Sequence, residues 1–411
     1  MKAINGIAVN APAGSAGSVG RLLIAKGIRA FGDGFVSLLL PLYLLELGMS
    51  PLQVGVIATA TLLGSGVMTL LVGLHAYRFR YRSLLLGATL LMAGTGAGFA
   101  LLADFWPLLV IAIVGTLNPS SGDVSVFLPL EHAVLSRVVA DKDRTAVFAR
   151  YSLVGTLMAA LGSLAVAFPG TLMASTGVSA KSAMQAMFML YALLGLVTAL
   201  AYRGLPPAME SDTQVPAAPL GQSKKTVYLL AALFSLDAFG GGFVVQSMVA
   251  LWLLQKFELS IAVAGTIFFW TGLLTAASYL IAVRIANRFG LVNTMVFTHL
   301  PANLCLVAIP FMPALGYVIA LLFIRSALSQ MDVPTRSSYV MAIVSPAERA
   351  AAASITSVPR SLASAIGPVL SGYLLGISTF GWPLLAAGGV KIVYDVLLLL
   401  MFRKVKPPEE R

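Results

Sequence analysis

The sequence predicts an all-α integral membrane protein with twelve transmembrane helices in two pseudo-symmetric six-helix bundles. Three observations predict this fold. Of the 411 residues, 58% are hydrophobic and only 10% are charged, whereas a soluble domain carries about 25% charged residues. Apolar runs recur that are long enough to cross about 30 Å of hydrocarbon as a helix. A seven-residue segment at 30–36 also returns at 238–244 with one change, which indicates two similar units.

Hydropathy divides the apolar sequence into twelve segments. The strands of a β-barrel would be shorter and would alternate, so these segments are helices. The first six lie near 21–47, 53–74, 83–103, 106–131, 148–169 and 183–203. The second six lie near 227–254, 260–283, 292–312, 315–340, 351–376 and 382–402. The fourth has an unusually polar middle, Asn118 to Asp123, which is tolerated where a helix lines a cavity.

These segments define five regions of the chain. Residues 1–20 are rich in Gly, Ala and Ser, and we interpret them as a flexible N-terminal tail. Residues 21–203 form the N-terminal bundle, and residues 227–403 form the C-terminal bundle. Residues 204–226 are polar and Pro-rich, as expected of a linker. Residues 404–411 form a short C-terminal tail.

Two sets of matches relate the halves. Residues 30–36 and 238–244 are 208 positions apart, and each copy lies in the first segment of its half. The second set has a spacing of 205 and surrounds the loop between the fourth and fifth segments: Pro129, Asp143, Arg144 and Gly162 recur as Pro334, Glu348, Arg349 and Gly367. An even number of spans separates the copies, so the halves are parallel repeats about an axis along the membrane normal.

Loop charges predict the orientation. The loops and termini on one side of the membrane are strongly basic and contain Lys2, Arg78, Arg80, Arg82, Arg137, Lys142, Arg144, Arg203, Lys224, Lys225, Arg284, Arg288, Arg349, Arg403, Lys404 and Lys406. The loops on the other side carry little positive charge beyond Lys181 and Lys256. This bias places both termini and the linker in the cytoplasm. We therefore expect the basic residues behind the net charge of +11 to interact with the membrane surface, and we expect no nucleic-acid partner. We expect a multi-pass protein of a bacterial plasma (inner) membrane.

Cysteine and histidine usage limits other functions. Cys305 is the single cysteine, which rules out an intramolecular disulfide. Three scattered histidines, His75, His132 and His299, are too few for a transition-metal cage. No Walker-type phosphate loop is present, which disfavours ATP as the direct energy source. We expect no metal, no cofactor and no enzymatic activity.

The loops after the second and eighth segments resemble the G-x-L-A-D-R-x-G-R signature of major facilitator superfamily transporters. The first copy keeps Gly73, Ala76 and Arg78, and the second keeps Arg288 and Gly290. Tyr77 and Asn287 stand where the family has an acid. The resemblance covers residues 20–403 and implies two six-helix bundles with a cytoplasmic gate. We expect the gate to involve Gly73, Arg78, Glu131, Arg150, Asn287, Arg288, Gly290 and Arg336.

Ionisable residues within the spans are costly, so they indicate function or pairing. Three pairs have the i,i+4 spacing that allows neutralisation along one helix: Arg29–Asp33, Asp332–Arg336 and Lys391–Asp395. We interpret the last as structural, because twelfth helices are peripheral in this architecture. For Arg29–Asp33 a functional role and simple self-pairing remain open alternatives.

Other charged residues lack a partner on their own helix. Asp237 has none, and the 208 spacing aligns it with Arg29. Our leading hypothesis is a contact among Arg29, Asp33 and Asp237 between the halves. For Glu131, Arg150 and Arg336 the alternative is that they lie near helix ends and snorkel to water. The candidates for substrate or proton coupling are Arg29, Asp33, Asp123, Asp237, Arg325 and Arg360.

The resemblance and these charges predict a secondary active transporter that moves a small organic molecule by alternating access. We favour proton-coupled efflux, with protons bound by carboxylates near mid-membrane. The first alternative is uptake of an anionic metabolite by a symporter or facilitator, with Arg29, Arg325 and Arg360 as counter-charges. The second is a non-transporting membrane receptor. The expected partners are the substrate, protons and the lipid bilayer, and we expect a monomer.

Overall fold

The computed structural model describes residues 15–75, 79–120, 125–139, 141–206, 220–221, 223–345 and 348–403. Within these ranges the regular structure is helical, without β-strands. The first half contains α1 (Ser15–Glu46), α2 (Pro51–His75), α3 (Tyr81–Leu101), α4 (Phe105–Val114), α5 (Phe127–Val138), α6 (Asp141–Ala165), α7 (Phe168–Thr176) and α8 (Ala180–Arg203). The second contains α9 (Lys224–Phe243), α10 (Gln246–Phe257), α11 (Ile261–Phe289), α12 (Leu291–Ala308), α13 (Leu315–Leu328), α14 (Asp332–Ile343), α15 (Arg349–Ile377) and α16 (Trp382–Phe402).

The predicted all-α membrane architecture is confirmed. Nine helical segments of the described chain are long and apolar enough to cross a membrane, and α4 and α13 are shorter apolar helices. Together with α15 they account for the twelve predicted spans. Several spans are divided, which hydropathy does not reveal: the fourth into α4 and α5, the fifth into α6 and α7, the seventh into α9 and α10, and the tenth into α13 and α14.

The polar middle of the fourth span ends α4. Gly115 caps the helix, and the amide oxygen of Asn118 accepts hydrogen bonds from the backbone N–H and hydroxyl of Ser120 at 3.0 and 2.9 Å. Pro119 between them has no backbone donor for a helical bond. The short polar side chains therefore satisfy the turn in place of the helix.

The described helix ends lie close to several of the predicted region limits. The helix α1 begins at Ser15, so the last six residues of the predicted tail, 15–20, are helical. On either side of the predicted linker, α8 ends at Arg203 and α9 begins at Lys224. Residues 1–14 and 404–411 lie outside the described residues, as do most of 204–226.

The bundle has two ends, which we call the linker end and the far end. At the linker end α1 begins and α8 ends, and Arg21 donates a hydrogen bond to the carbonyl of Gly204. At the far end α1 and α3 end, and the hydroxyl of Tyr43 donates to the carbonyl of Phe99 at 2.7 Å. Short connections make successive spans antiparallel, so α2 and α11 begin at the far end, and α6 and α15 end there.

The halves contact each other closely at the far end. The main contacts between them join α2 to α15 and α6 to α11. A Cβ on Gly55 of α2 would lie 2.4 Å from the carbonyl oxygen of Pro368 in α15. A Cβ on Gly265 of α11 would lie 2.4 Å from the carbonyl oxygen of Ser163 in α6. Glycine at these positions allows the backbones to approach, as small residues do between membrane helices.

Toward the linker end the same helices expose their side chains. Arg360 of α15 and Arg150 of α6 are exposed, and so are most residues of α15 from Ala353 to Leu362. Arg360 nevertheless interacts electrostatically with Arg336 and Asp237, which are buried in the second half. The other half therefore does not cover these side chains of α6 and α15 at the linker end, and a space opens there beside the buried residues of the second half.

The polypeptide just before α9 is attached to the loop before α15. The carboxylate of Glu348 accepts hydrogen bonds from the backbone N–H of Gly221 and from the hydroxyls of Ser223 at 2.9 Å and Ser345 at 2.8 Å. These donors stabilise the carboxylate and lower the pKa of Glu348 to about 2. The second half therefore holds the end of the linker at a defined point.

Candidate functional site

The first half contains a buried ion pair between its first and fourth spans. Arg29 of α1 donates to the carboxylate of Glu131 in α5, and the two residues are 2% and 0% exposed. The hydroxyls of Tyr151 and Tyr202 also donate to Glu131, the latter at 2.6 Å. Charged groups withdrawn from water require partners of this kind. We call these four residues the N-cluster.

The break in the fourth span helps to position this pair. The helix α5 begins at Phe127 after the break, and the ring of Phe127 lies 4.0 Å from the guanidinium carbon of Arg29. A guanidinium over an aromatic face is stabilised by the ring. Phe127 also stacks on Tyr202, at 6.3 Å between ring centroids. The same ring therefore orients both an ion-pair member and a hydroxyl donor.

The second half contains a larger buried cluster centred on Asp237 of α9. One carboxylate oxygen, Oδ2, accepts a hydrogen bond from Arg336 of α14 at 2.9 Å. The other, Oδ1, accepts one from Lys391 of α16 at 2.6 Å. The Nε2 atom of His299 in α12 lies 3.7 Å from Oδ1. Three other helices therefore place basic or titratable groups around one carboxylate.

A second layer surrounds this centre. Asp332 contacts Arg336 along α14. His299 Nδ1 lies 2.8 Å from Oδ1 of Asp395 in α16. Asn303, one turn after His299, donates to Oδ2 of Asp395 at 2.7 Å. The C-cluster comprises Asp237, His299, Asn303, Asp332, Arg336, Lys391 and Asp395, all with exposures below 9%.

The two clusters correspond through the sequence repeat. The 208 spacing aligns Arg29 with Asp237, and the 205 spacing aligns Glu131 with Arg336. Both pairs join the first span of a half to the second part of its fourth span. Each half therefore retains the ion pair while the two charges exchange places.

The predicted contact of Arg29 and Asp33 with Asp237 is wrong. Arg29 pairs with Glu131 inside the first half, and Asp237 pairs inside the second. Asp33 is half-buried, and its Oδ1 lies 3.5 Å from the hydroxyl of Tyr191 in α8. Residues at matched positions of two packed bundles each face their own neighbouring helices, which explains the error.

Predictions about pairing along single helices had mixed outcomes. Asp332 and Arg336 pair as predicted. Lys391 and Asp395 form no ion pair with each other, because Lys391 turns to Asp237 and Asp395 to His299. The twelfth span is therefore not peripheral in its contacts: both of its charged residues are buried in the C-cluster.

Two residues that could have snorkelled do not reach water. Glu131 is 0% and Arg336 is 6% exposed, since each is drawn inward by a partner on the first span of its half. Arg150 is exposed, in agreement with the snorkelling alternative. It has no hydrogen bond or ion pair in the described part of the chain.

Arg325 and Arg360 are cations without a carboxylate partner among the residues that the structure describes. Arg325 of α13 has a buried Nε atom with no acceptor, and it interacts electrostatically with Asp237 and Cys305. Arg360 is exposed to the space that opens at the linker end. Both cations therefore lie near the C-cluster without being neutralised directly.

The remaining predicted residues lie at the ends of α2 and α11 or outside the description. Gly73 is in the last turn of α2. Arg288 is exposed and lies 5.4 Å from the ring of its neighbour Phe289. Gly290 separates α11 from α12 with φ of +85°, a conformation that favours glycine. Arg78, Asp123 and the side chain of Asn287 lie outside the described residues.

Sequence reasoning missed His299, Tyr151 and Tyr202 as members of these clusters. His299 and Asn303 have the i,i+4 spacing of one helix face, which was the available signal. The tyrosines gave none, because buried tyrosines are common in helical cores. No group of three or more His, Cys, Asp or Glu side chains suited to a metal occurs in the described ranges.

Comparisons with known proteins give the same fold. The chain is 26% identical over 412 residues to an uncharacterized membrane protein of Saccharomyces cerevisiae, covering 91% of this chain and 92% of the yeast protein. The crystal structure of the nucleoside transporter NupG matches with a TM-score of 0.72 and 15% identity, covering 94% of this chain and 99% of NupG. The inward-open xylose transporter XylE from E. coli matches with a TM-score of 0.72 and 14% identity, covering 95% and 98%.

These structural matches are below 25% identity and therefore establish the fold alone. The family comparison is more specific. The sequence pattern described as Major Facilitator Superfamily matches residues 22–325 and 229–411, which together span nearly the whole chain. The chain therefore belongs to the Major Facilitator Superfamily of membrane transporters.

Proposed function

We propose that this protein is a secondary active transporter that exports a small organic molecule in exchange for protons by alternating access. One observation carries the proposal. The halves contact each other at the far end, and at the linker end they expose Arg360 beside the buried C-cluster. A centre open to one side only is the arrangement that rocking of two repeats would invert.

Proton coupling is supported by the buried carboxylates. Asp237 has three basic or titratable neighbours, and Asp395 contacts a histidine. When a proton binds to or leaves such a group, the favoured ion pairs change, and a change of pairing between helices alters their packing. Protons and the substrate would then use the same conformational cycle.

Orientation and direction come from the sequence. The Lys/Arg bias of the loops supports cytoplasmic termini and a cytoplasmic linker, so the open space would face the cytoplasm. Export is the direction that the sequence favours, through a general resemblance to efflux-type members of the family. A bacterial inner membrane and a monomeric state remain part of the proposal.

A second candidate is uptake of an anionic metabolite. Arg325 and Arg360 lack carboxylate partners in the described chain, and both interact electrostatically with Asp237. Cations that the protein does not neutralise are suited to hold an anionic substrate. Arg29, the third residue in this hypothesis, is already neutralised by Glu131.

Flux measurements with the purified protein test these proposals. The protein is reconstituted in liposomes, and a panel of anionic, neutral and cationic compounds is assayed with and without an imposed pH gradient. Proton-driven export predicts that an inward-directed proton gradient accelerates efflux of at least one compound. A symporter predicts proton-driven accumulation of an anion. Tight binding of a compound without flux would instead indicate a receptor.

The Arg360→Gln variant separates the substrate classes. If an anion is the substrate, removing this cation should weaken its binding about tenfold or more, as expected for loss of a charged hydrogen-bond donor. A neutral or cationic substrate should not lose affinity. Arg150→Gln is the matched control, because Arg150 is also exposed but has no described ion-pair partner or hydrogen bond.

A further inference from the structure

His299 is buried between two carboxylates that belong to different helices. Its Nδ1 atom lies 2.8 Å from Asp395 Oδ1, and its Nε2 atom lies 3.7 Å from Asp237 Oδ1. Asn303 fixes the far side of Asp395 by donating to Oδ2 at 2.7 Å. Each ring nitrogen therefore faces an acidic oxygen.

This geometry defines how the ring can hold protons. Nδ1 has two neighbours, Oδ1 of Asp395 at 2.8 Å and the amide nitrogen of Asn303 at 3.1 Å, and that amide donates to Oδ2 of Asp395 at 2.7 Å. Because an ionised carboxylate only accepts hydrogen bonds, we assign the ring hydrogen to Nδ1, where it faces Asp395. In the neutral ring the Nε2 lone pair then faces the Asp237 carboxylate. Adding a proton at Nε2 replaces two facing acceptors with a donor and an acceptor. Histidine is also the side chain whose charge ordinarily changes between about pH 5 and 8.

Lys391 occupies the same oxygen that a protonated His299 would face. Its Nζ atom lies 2.6 Å from Asp237 Oδ1, while Arg336 holds Oδ2 at 2.9 Å. An imidazolium at Nε2 and the Lys391 ammonium would therefore compete for Oδ1. If Lys391 leaves, Asp237 keeps Arg336 and gains His299, so its charge remains compensated.

The geometry points to His299 as the residue that binds the coupled proton, with its protonation releasing Lys391 of α16 from Asp237 of α9. This inference rests on the proposed proton-coupled function and names the group that performs the coupling. The proton is taken from water in the space that exposes Arg360, adds to the Nε2 lone pair, and returns to water when the cycle reverses.

Several other charged, titratable or aromatic groups surround His299. Tyr394 of α16 lies 6.0 Å from the imidazole, between ring centroids. The charged or titratable residues that the packed helices contribute are Asp237 from α9, Arg325 from α13, Asp332 and Arg336 from α14, Lys391, Tyr394 and Asp395 from α16, and Cys305 from α12 itself. Arg284 and Arg288 of α11 are exposed.

A change at Asp237 can reach the interface between the halves. Asp237 lies in the last two turns of α9, which ends at Phe243. The following helix, α10, contacts α1 of the other half, and the backbone N–H of Ser247 donates to the carbonyl of Pro119 at 3.0 Å. Loosening α9 from α16 would therefore act on a segment that joins both halves.

The first test uses the full-length protein without any substrate. Nitrogen-15 NMR of histidine-labelled protein in lipid nanodiscs reports the protonation state of each imidazole, and His299→Gln identifies the His299 signal. If His299 binds the coupled proton, its signal must change between the imidazole and imidazolium states over the pH range in which transport depends on the pH gradient. A signal that keeps one state over this range, in folded protein, would overturn the inference.

The second test measures transport by His299→Gln, with His75→Gln, at an exposed position in α2, as the matched control. We expect the acceleration of transport by a pH gradient to fall at least about tenfold in His299→Gln, since this residue binds the coupled proton, and to be unchanged in His75→Gln. Driven transport equal to that of the parent would contradict the assignment. If His299→Gln does not fold, the variants His75→Gln and His132→Gln assign the other two histidine signals, and the NMR test on the parent decides the matter.

The two proposals fail in different ways. A parent protein that transports but ignores the pH gradient contradicts the proposed proton coupling itself. A parent that responds to the gradient, together with an equally responsive His299→Gln variant, contradicts only the role of His299.

Discussion

Arg336 donates a hydrogen bond to Asp237 across 2.9 Å in the interior of the second half. In the first half, Arg29 and Glu131 form the equivalent pair with the charges exchanged. A buried ion pair is not a strong source of stability, but loss of one member leaves the other charge uncompensated. The stability of each pair therefore depends on opposite charges at the two positions, more than on which position carries the arginine.

Exchanging the charges of the first-half pair should be tolerated better than changing one of them. Arg29→Glu or Glu131→Arg alone brings like charges together in a buried site and should destabilise the protein by about 3–5 kcal/mol. The double variant restores an ion pair of the polarity found in the second half, and we expect it to recover at least half of that loss. Thermal unfolding followed by size-exclusion chromatography measures this cycle. Equal losses in the double and single variants would contradict the equivalence.

Removing the charge of Asp237 should abolish driven transport. Asp237→Asn leaves Lys391 and Arg336 with one fewer carboxylate between them, so we expect at least about a tenfold loss of gradient-driven flux, or about 1.4 kcal/mol. Adding Lys391→Met removes the surplus cation and should recover stability, though not coupling. Lys256→Met is the control, because that ammonium contacts backbone carbonyls of Pro310 and Phe380 instead. Intact flux and pH dependence in Asp237→Asn would defeat a coupling role.

The link at Glu348 should stabilise the protein in a pH-dependent way. Its pKa is lowered from 4.5 to about 2, so the ionised form is favoured by folding. The contribution is fully present above about pH 4.5 and is lost as the pH falls through about 2. Glu348→Gln should therefore unfold at a lower temperature than the parent at pH 6, and the difference should shrink toward pH 3. A constant difference across this range would indicate that the carboxylate charge is not responsible.

A methyl group at Gly55 should open the far end. The added Cβ would lie 2.4 Å from the Pro368 carbonyl oxygen across the interface, so Gly55→Ala must push α2 away from α15. Spin labels at Glu46 and Thr379, in a Cys305→Ser background, report the distance between the halves there. We expect longer distances in Gly55→Ala, and no change in Gly66→Ala, where a Cβ meets nothing within 4 Å. Identical distances in the two variants would show that the contact does not hold this end closed.

The sequence predicts the spans well because the bilayer imposes one requirement on every helix. Twelve apolar segments and the repeat define the architecture, and each depends on composition over about twenty residues. Internal breaks such as the one between Phe243 and Gln246 depend on a few local contacts instead. Hydropathy averages over those positions and cannot reveal them.

The candidate site was predictable in its members but not in its pairing. Arg29, Glu131, Asp237 and Arg336 all stand out as charges in apolar segments. Their partners lie on other helices, whereas spacing along one helix predicts only pairs that are one turn apart. Lys391 shows the consequence: the carboxylate four residues away binds a histidine, and the ammonium binds Asp237 on α9. Packing decides which helix faces which, and the spacing of residues along a single helix does not reveal that packing.

The exchange of charges between the two buried pairs also bears on the membrane voltage. A twofold axis along the membrane normal maps one pair onto the other, and it would leave the normal components of two identical dipoles parallel. Because the charges are exchanged, those components oppose each other and the in-plane components add. The two pairs together therefore carry little net dipole across the bilayer. The transmembrane field is worth about 2.3 kcal/mol per charge per 100 mV. It consequently exerts little net force on these two ion pairs and acts on the unpaired charge of a moving proton or substrate.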